Sequence, residues 1–575
     1  MRIAACAVAA LVMLLATASG ARTQTRAPNI VVIVADDMGY ADIGVHGSKD
    51  IPTPNIDALA AGGIRFTDAY VSGPYCGPTR AGLMTGRYPQ RFGHEFNIGL
   101  SMAHREAGLP LEERTMADYL NAAGYRTALI GKWHLGTAPR YSPLRRGFDE
   151  FFGFLGGAHS YTGVGPRSNP IYDGGEPATS ISYLTDTLAA RAVEFIERNK
   201  ARPFFLYLAF NAVHAPLQAP EKYLARVSRI ADERRRTYAA MLVAMDDGIG
   251  STLAALRDNG LDETTLVFFF SDNGGPVALQ GANGSSNGPL RGQKAHTFEG
   301  GIRVPFIIRW TGRLPAGATD SRPIIQLDVL PTALAAAGIA VKPEWRLDGV
   351  NLLPFLTAQA SGAPHEALYW RLGGHMAIRK GDWKLVKSDA GGATDDPAKA
   401  TLEGTELFNL STDIGEKSNL ASAHPEKVRE LSDEWLRWKD QLASPRWPPP
   451  QGYRGVRQSC LDPSLRRPLQ SYAGTWQGSF GLAVTWTWVQ GADSAGTITF
   501  MNDTTRYHTR VIFASADSLV ADVIEPVAVR RPGTPAVSVQ LVGYLCEDEM
   551  TGFVNTRSPD RGTTRAPLGA TREPR

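Results

Sequence analysis

Cysteine is scarce in this chain, and charge of either sign is in little excess. The 575 residues include four cysteines, too few for a small disulfide-stapled scaffold or a cysteine-rich metal protein. The formal net charge is only +3, which gives no electrostatic argument for a nucleic acid or an anionic membrane as a partner. No internal repeat is evident, so a solenoid or propeller of repeats is not indicated.

Long apolar runs are missing after the first residues. Met1-Arg2 is followed by an apolar stretch over 3–16 and then by small residues up to Ala21, the pattern of a cleaved export signal. The stretch is too short for a comfortable membrane span, although an uncleaved N-terminal anchor is the alternative. We expect a signal peptide over 1–21, a periplasmic or secreted protein, and no transmembrane segment in the mature chain.

In an oxidising compartment, cysteines are expected to form disulfides, so a cysteine without a partner requires an explanation. Cys6 leaves with the signal peptide, and Cys460 and Cys546 lie in the C-terminal region, where they are able to pair. Cys76 would then be a lone thiol at the start of a helical segment, where the helix dipole favours ionisation and Arg80 adds a cation one turn on. The alternative is a buried cysteine that packs as a small apolar side chain.

Several apolar runs end in polar side chains. Runs rich in β-branched and aromatic residues predict buried strands of a parallel sheet at 29–35, 126–130, 203–210 and 265–270. Ligands of open α/β sheets bind at the carboxyl ends of strands, so the polar residues there are site candidates: Asp36, Asp37, Lys132, His134, His214, Asp272 and Asn273. Two adjacent carboxylates repel each other unless a cation lies between them; the alternative for Asp37 is a helix cap.

Helical spacing alternates with these strands. The predicted helices cover 54–62, 112–123, 183–199 and 237–257, and a fifth strand is expected at 304–310. This alternation predicts an α/β fold with a large, doubly wound and mostly parallel sheet.

The pattern changes twice towards the C-terminus. A hairpin turning at Gly381, a strand at 406–410 and a helix at 425–442 predict a smaller antiparallel sheet plus helix. After Pro448-Pro449-Pro450, strand-rich residues predict an extra β domain, as an up-and-down sheet or small barrel. The expected domains are 28–356 for the large α/β domain, 357–447 for the smaller one, 455–556 for the β domain and 557–575 for a disordered tail.

Oxygen-bearing and basic side chains are expected at one edge of the sheet. Asp36, Asp37, Asp272 and Asn273 suit a hard cation, Ca²⁺ or Mg²⁺, rather than zinc. The basic groups expected on the same edge are Arg80, Lys132, His134, His214 and Lys294. A cation with several basic groups describes a pocket for a tetrahedral anionic ester.

The candidate site residues lie in short motifs that are typical of one protein family. These motifs are Ala35-Asp36-Asp37, Cys76-Gly77-Pro78-Thr79-Arg80, and the stretches 131–136, 214–216, 271–275 and 292–301. Over roughly 28–442 the chain resembles the formylglycine-dependent sulfatases of the alkaline-phosphatase superfamily. It is most similar to the arylsulfatase B (N-acetylgalactosamine-4-sulfatase) type, through His46-Gly47-Ser48 and the stretches 145–149 and 287–292.

The resemblance implies a nucleophile and a metal. A formylglycine-generating or sulfatase-maturating enzyme would oxidise Cys76, and the hydrated aldehyde would attack sulfur in line. Ca²⁺, or Mg²⁺, would polarise the nucleophile and the sulfate oxygens. Its ligands would be Asp36, Asp37, Cys76, Asp272 and Asn273.

The resemblance also implies roles for the basic groups. Arg80 and Lys132 would hold the hydrate and balance its charge. His214, with Lys294, would contact the sulfate and protonate the leaving oxygen. His134 would take the proton whose removal expels sulfate and restores the aldehyde.

The expected activity is therefore hydrolysis of sulfate monoesters on a sulfated glycan. Phosphonate monoester and phosphodiester hydrolases of the same superfamily share this pocket and are the alternative among enzymes. A non-catalytic glycan-binding relative is the alternative from another class. For that class, Trp476, Trp486 and Trp488 are either glycan contacts or core aromatics of a small β unit.

Overall fold

The computed structural model describes residues 26–98, 106–165, 169–277, 283–388 and 402–447, and eight strands between residues 474 and 572. The signal peptide, the Pro448-Pro449-Pro450 linker and Cys460 lie outside these residues, so the predictions about them stay predictions. Twelve strands are described before residue 330. They are β1 (Asn29–Ala35), β2 (Ile64–Phe66), β3 (Ala69–Tyr70), β4 (Arg126–Lys132), β5 (Glu150–Phe154), β6 (Tyr172–Asp173), β7 (Glu176–Pro177), β8 (Phe204–Ala209), β9 (Thr265–Ser271), β10 (Phe306–Arg309), β11 (Ala318–Asp320) and β12 (Ile324–Ile325).

Ten of these strands form one sheet, in the order β11-β2-β10-β9-β1-β8-β4-β5-β6-β7. The central strand β1 pairs in parallel with both β8 and β9, and β4 pairs in parallel with β8. Every residue of β1 is buried, as expected of a strand covered on both faces. The mostly parallel α/β fold is confirmed. The predicted fifth strand, β10, pairs antiparallel with β9 and β2, a direction that a run of apolar residues does not reveal.

Ten helices are described, and several of them cover the two faces of this sheet. They are α1 (Pro54–Ala61), α2 (Cys76–Thr85), α3 (Met116–Ala122), α4 (Leu184–Asn199), α5 (Glu221–Leu224), α6 (Glu233–Asp258), α7 (Glu299–Ile302), α8 (Val329–Ala336), α9 (Leu353–Leu356) and α10 (Pro425–Lys439). Val31 and Ile33 pack into the core with α4 and α6. Val32 and Val34 pack into the core with α2, α3 and α8. Alternate side chains of β1 thus pack into two apolar layers, one on each face of the sheet.

One helix is long and apolar enough to cross a membrane by length and composition. In the searched, described residues this is α6, and 78% of its most apolar window is buried inside the protein. It packs against α4 and α1. This is the environment of a core helix.

The helix predicted over 112–123 starts later than expected. Thr115 is its N-cap, because Thr115 Oγ1 accepts from Asp118 N at 3.1 Å while Asp118 Oδ2 accepts from Thr115 N at 2.8 Å. Such a reciprocal cap fixes the first helical residue, here Met116. Helical spacing alone placed that start too early.

A second, four-stranded antiparallel sheet follows, with β13 (Leu368–Leu372), β14 (His375–Lys380), β15 (Trp383–Lys387) and β16 (Glu406–Asn409) in chain order. The hairpin between β14 and β15 turns at Gly381, whose φ of 57° suits glycine. Helix α10 packs its Trp435 into a core shared with Trp370 of β13. The predicted sheet-plus-helix arrangement is confirmed.

The C-terminal strands close into a barrel. They run β17 (Gly474–Phe480), β18 (Val484–Gln490), β19 (Ala495–Phe500), β20 (Arg506–Ala514), β21 (Leu519–Ile524), β22 (Ser538–Cys546), β23 (Glu549–Ser558) and β24 (Gly562–Arg572). The prediction of a disordered tail over 557–575 is wrong at β24, which pairs with both β23 and β17. Barrel closure satisfies two sheet edges at once, a gain that the polar composition of this segment does not show.

Candidate active site

Two parallel strands bring the acidic residues together. Ala35 of β1 pairs with Ser271 of β9, so Asp36 and Asp272 leave the sheet side by side. Asp37 N donates to Asp272 Oδ1 at 3.2 Å. Asp37 has a φ of 61°, a conformation uncommon for residues other than glycine and often found at functional sites.

Cys76 occupies the first position of helix α2, and its thiol lies among charged groups. Its Sγ is 3.4 Å from Asp36 Oδ1 and 3.9 Å from Asp37 Oδ1, and Lys294 Nζ lies 3.4 Å from Sγ. The N-cap, Tyr75, makes no side-chain cap. Single ligand atoms of Asp36, Asp37, Cys76 and His214 all lie within 4.8 Å of one another, a spacing that suits a metal ion.

Three cations neutralise the three carboxylates. Lys132 Nζ lies 2.6 Å from Asp36 Oδ2, and Lys294 Nζ lies 2.7 Å from Asp37 Oδ1. Arg80 Nη2 lies 2.8 Å from Asp272 Oδ2, and both side chains are fully buried. The cluster of Asp36, Asp37 and Asp272 with Arg80, Lys132 and Lys294 is called the active-site cluster below. With all six groups ionised, the active-site cluster is electrically neutral.

The donors fit a hard cation. Asn273 Nδ2 donates to Asp37 Oδ1 at 2.7 Å, while Asn273 Oδ1 is buried and without a hydrogen-bond partner among the described residues. A buried carbonyl oxygen left unpaired is costly, and Ca²⁺ or Mg²⁺ prefers such oxygens beside carboxylates. Asp272 is not part of the four-residue group above, and its Oδ2 accepts from Arg80 Nε at 2.9 Å.

Burial and neighbouring charge set the pKa values here. Burial raises the pKa of Asp36, but Lys132, His214 and Arg80 outweigh it and hold that pKa below its usual range. For Asp272, burial is reinforced by Asp36, and its pKa rises to about 6. Burial, followed by Asp272, raises the pKa of the Cys76 thiol well above its usual value. The expectation of an easily ionised thiol is therefore wrong, because desolvation overcomes the helix dipole.

The two histidines have defined tautomers, since a carbonyl oxygen only accepts. His134 Nε2–H donates to Ile98 O at 3.2 Å, which leaves Nδ1 as the lone-pair nitrogen, buried and unpartnered among the described residues. Burial, then Lys132 and Arg80, lower the pKa of His134 well below its usual value. His214 Nδ1–H donates to Ala215 O at 2.5 Å, and its Nε2 lies 3.5 Å from Asp37 Oδ2.

Two further residues were missed in the sequence. Tyr207 OH, within β8, accepts from Arg80 Nη1 at 3.3 Å. A tyrosine inside an otherwise apolar buried run needs a hydrogen-bond partner, and that signal was available. Asn287 accepts from Gly275 N at 2.9 Å and donates to Gly292 O at 3.2 Å, thereby tying the loop after Asn273 to the loop before Lys294. Nothing in its Gly- and Ser-rich surroundings indicates this role.

Sequence comparisons place these residues in a family. A family model described as Sulfatase matches residues 28–339. Arylsulfatase A from Homo sapiens is 36% identical over 500 residues, which cover 79% of this chain and 95% of that protein. N-acetylgalactosamine-6-sulfatase from Homo sapiens is 33% identical over 456 residues, which cover 72% of this chain and 85% of that protein. The narrower resemblance to the arylsulfatase B type stays a prediction.

Solved structures are similar to this one in fold and, in one case, in sequence. The crystal structure of Ps i-CgsB in complex with k-i-k-neocarrahexaose matches with a TM-score of 0.67 and 38% identity, and the match covers 73% of this chain and 95% of that one. The phosphonate monoester hydrolase of Agrobacterium radiobacter matches with a TM-score of 0.52 and 20% identity, over 72% of this chain and 96% of that one; this likeness concerns the fold alone. Because the family model covers more than half of the chain and close relatives span most of it, the chain belongs to the sulfatase family and is a sulfuric ester hydrolase.

Proposed function

We propose that this protein hydrolyses sulfate monoesters of glycans, with an oxidised Cys76 side chain as nucleophile and Ca²⁺ as metal. The observation that carries the proposal is the position of Cys76 Sγ, 3.4 Å from both Asp36 Oδ1 and Lys294 Nζ. Burial keeps an unmodified thiol protonated there, so the thiol itself is a poor nucleophile. Conversion to formylglycine, whose hydrate supplies a nucleophilic oxygen, accounts for a lone cysteine in this position.

The metal would be Ca²⁺, with Mg²⁺ as the alternative. It would polarise the sulfate oxygens and the nucleophile when bound. The unpaired Asn273 Oδ1 and the low pKa of Asp36 support this choice, because both favour an oxygen-preferring cation. The proposed ligands are Asp36, Asp37, Asp272, Asn273 and residue 76.

The basic residues would divide the remaining work. Arg80 and Lys132, fully buried, would orient residue 76 and balance its charge. Lys294 and His214 Nε2 would bind the sulfate, and His214 would protonate the leaving oxygen. Burial lowers the pKa of His214, and Asp37, whose Oδ2 lies 3.5 Å from Nε2, opposes that shift by favouring a proton at this nitrogen. His134 Nδ1, free to accept, would take the proton whose removal releases sulfate.

A glycan substrate is supported by the relatives. One of them is named for N-acetylgalactosamine-6-sulfate, and the solved structure at 38% identity holds a neocarrahexaose. The export signal expected over 1–21 makes the protein periplasmic or secreted. A formylglycine-generating or sulfatase-maturating enzyme would be its partner during maturation.

The test is the mass of the peptide carrying Cys76, from protein made in its native host. We expect the aldehyde in place of the thiol. An unmodified thiol, in a host that converts another such motif, would remove this mechanism.

A substrate panel then separates the ester classes. Wild type should release sulfate from 4-nitrophenyl sulfate and from sulfated oligosaccharides, faster than phosphate from the matching phosphate and phosphonate esters. Cys76→Ala is the matched control and should retain the fold while losing turnover. Faster cleavage of the phosphonate ester would favour the alternative function of a phosphonate monoester hydrolase. Binding of sulfated glycan without any turnover would favour a non-catalytic binding protein.

A further inference from the structure

A cleft outside the active-site cluster is rich in arginine. It has a volume of about 520 Å³ and is lined by four arginines, Arg114, Arg140, Arg145 and Arg146, and by the carboxylates of Glu113 and Asp118. It is called the arginine cleft below. None of these residues belongs to the proposed catalytic set.

The two carboxylates of the arginine cleft are already engaged. Both oxygens of Glu113 accept from Arg87 Nη1 at 2.7 Å. Asp118 Oδ2 accepts from the backbone and hydroxyl of Thr115, at 2.8 and 2.9 Å. Glu113 is thereby paired with Arg87, whereas the donors to Asp118 are neutral and Asp118 keeps its negative charge. The four arginines still outnumber the two carboxylates that line the cleft.

Two of the four arginines are engaged as well. Arg140 forms an ion pair with Glu106. Arg146 is buried, and its guanidinium donates to the backbone oxygens of Leu109 and Glu113, each at 2.7 Å. The bonds of buried Arg146 fix that side of the cleft, so a ligand meets one guanidinium that needs little reordering.

Arg114 and Arg145 are the two arginines of the cleft whose guanidinium groups remain accessible to a ligand. Both are exposed, and among the described residues neither forms an ion pair. The Arg114 guanidinium lies 4.3 Å from the centre of the Tyr119 ring, and that ring packs on Trp345. Stacking on an aromatic face restrains a guanidinium while leaving its N–H groups free to bind an anion.

Residues next to the lining of the arginine cleft are tied to the segment that carries His134. Leu109 N donates to Leu135 O at 2.9 Å, and Trp133 Nε1 donates to Tyr141 O at 2.9 Å. Arg114 is five residues beyond Leu109, and so at most about 18 Å from it even if the chain were fully extended. Because Leu135 follows His134 and bonds to Leu109, the Arg114 Cα atom is at most about 30 Å from the His134 Cα atom, a span within the length of a longer oligosaccharide.

We infer that the arginine cleft is a subsite for a second sulfate group of the same glycan, bound by Arg114 and Arg145. Guanidinium groups bind sulfate oxygens through paired charge-assisted hydrogen bonds. The inference rests on the proposed function and deepens it: the substrate would be a chain with several sulfates, and not only a terminal monosulfated sugar.

The test uses the double variant R114Q/R145Q. The matched control is R229Q/R429Q, which removes the same charge from two arginines that are also exposed. Binding is measured by titration calorimetry with a dextran sulfate oligosaccharide, and uncharged dextran of the same length serves as the blank. We expect R114Q/R145Q to bind at least tenfold more weakly than wild type, and the control to stay within twofold.

Kinetics give a second readout. In R114Q/R145Q the KM for a multiply sulfated oligosaccharide should rise by a similar factor, while kcat/KM for 4-nitrophenyl sulfate stays unchanged. Equal binding by wild type and R114Q/R145Q, or an equal loss in the control, would overturn the inference. If wild type binds dextran sulfate through these arginines but hydrolyses no sulfate ester, the proposed function fails and the subsite stands.

Discussion

Two clusters of buried charge lie in this protein, and they differ in what they leave unpaired. One is the active-site cluster. The other joins the four-stranded sheet to the main sheet and is called the inter-sheet cluster; it comprises Asp68, Glu299, Arg303, Arg379, Lys384 and Glu416. Every member of both clusters is buried, so burial does not separate them.

In the inter-sheet cluster each carboxylate contacts a cation. Lys384 Nζ lies 2.8 Å from Glu299 Oε1 and 2.9 Å from Glu416 Oε1. Asp68 is held by two arginines, Arg303 at 2.8 Å and Arg379 at 2.6 Å.

The active-site cluster also pairs its charges, but among the described residues two neutral polar atoms beside it, Asn273 Oδ1 and His134 Nδ1, have no hydrogen-bond partner. Buried atoms without such a partner occur elsewhere too, for example both ring nitrogens of His94 and, in the inter-sheet cluster, Glu416 Oε1. Neither buried ion pairs nor unpartnered atoms alone therefore indicate a catalytic site; the two together, beside adjacent carboxylates, point to an absent ligand.

The largest expected effect is on stability, in the inter-sheet cluster. Lys384→Met leaves Glu299 and Glu416 facing each other, and breaking a buried ion pair in this way costs about 3–5 kcal/mol. Denaturant unfolding should show this loss, while kcat of the folded fraction stays within a few-fold. Lys380→Met is the matched control on the same sheet, because its ion pairs are partly exposed and worth about 1 kcal/mol or less. If Lys384→Met instead lowered kcat strongly and left stability unchanged, the proposed structural role of the inter-sheet cluster would be wrong.

The counterpart in the active-site cluster is Lys132→Met. Removing a cation that stabilises developing charge lowers kcat by about 10²–10³-fold, and we expect that loss with 4-nitrophenyl sulfate as substrate. The free energy of unfolding in the presence of Ca²⁺ should change less than in Lys384→Met, because the ion compensates Asp36. A kcat within tenfold of wild type would contradict the proposed role of Lys132.

Asn287 tests whether neutral positioning groups matter next to the active-site cluster. Asn287→Asp keeps an oxygen for Gly275 N and loses the N–H groups that bind Gly275 O and Gly292 O. Outer groups of this kind change metal affinity by about 10–100-fold, so Ca²⁺ titration of the purified variant should show a weaker Kd. Asn351→Asp is the control, because Asn351 lies far along the chain and bonds only locally to Leu353 N.

The smallest effect concerns His365, in neither cluster. Its Nε2 lies 2.8 Å from Asp328 Oδ1, and although burial lowers the pKa of His365, Asp328 outweighs burial and raises it. A raised folded-state pKa stabilises the protein fully below the unfolded pKa of about 6.5, and that gain is lost as the pH rises through the folded pKa.

His365→Gln should therefore cost most at about pH 5.5, where a hydrogen bond to a charged group is worth about 1.5–3 kcal/mol. The cost should be smaller at about pH 9. Unfolding curves of both proteins at the two pH values measure the difference, and a cost that grows with pH would show the sign to be wrong.

Much of the site could be predicted because its residues lie at or directly after the carboxyl ends of strands. Asp36, Lys132 and Asp272 each stand at the end of an apolar run, and parallel pairing aligns those ends. The antiparallel direction of β10 and the closing strand β24 could not be predicted in this way. The direction of β10 depends on β9 and β2, and the closure by β24 depends on β17, all of which are distant in the sequence.

The sequence by itself determined the α/β alternation, the acidic and basic candidates at the strand ends and the Cys76 motif, because these are patterns of neighbouring residues. Tertiary structure alone decided that Arg80 holds Asp272 across 192 positions, that Asn287 joins two loops, and that burial raises the pKa of the Cys76 thiol. The physical reason is that desolvation and charge pairing depend on which groups share a buried volume, and folding, not chain order, sets that.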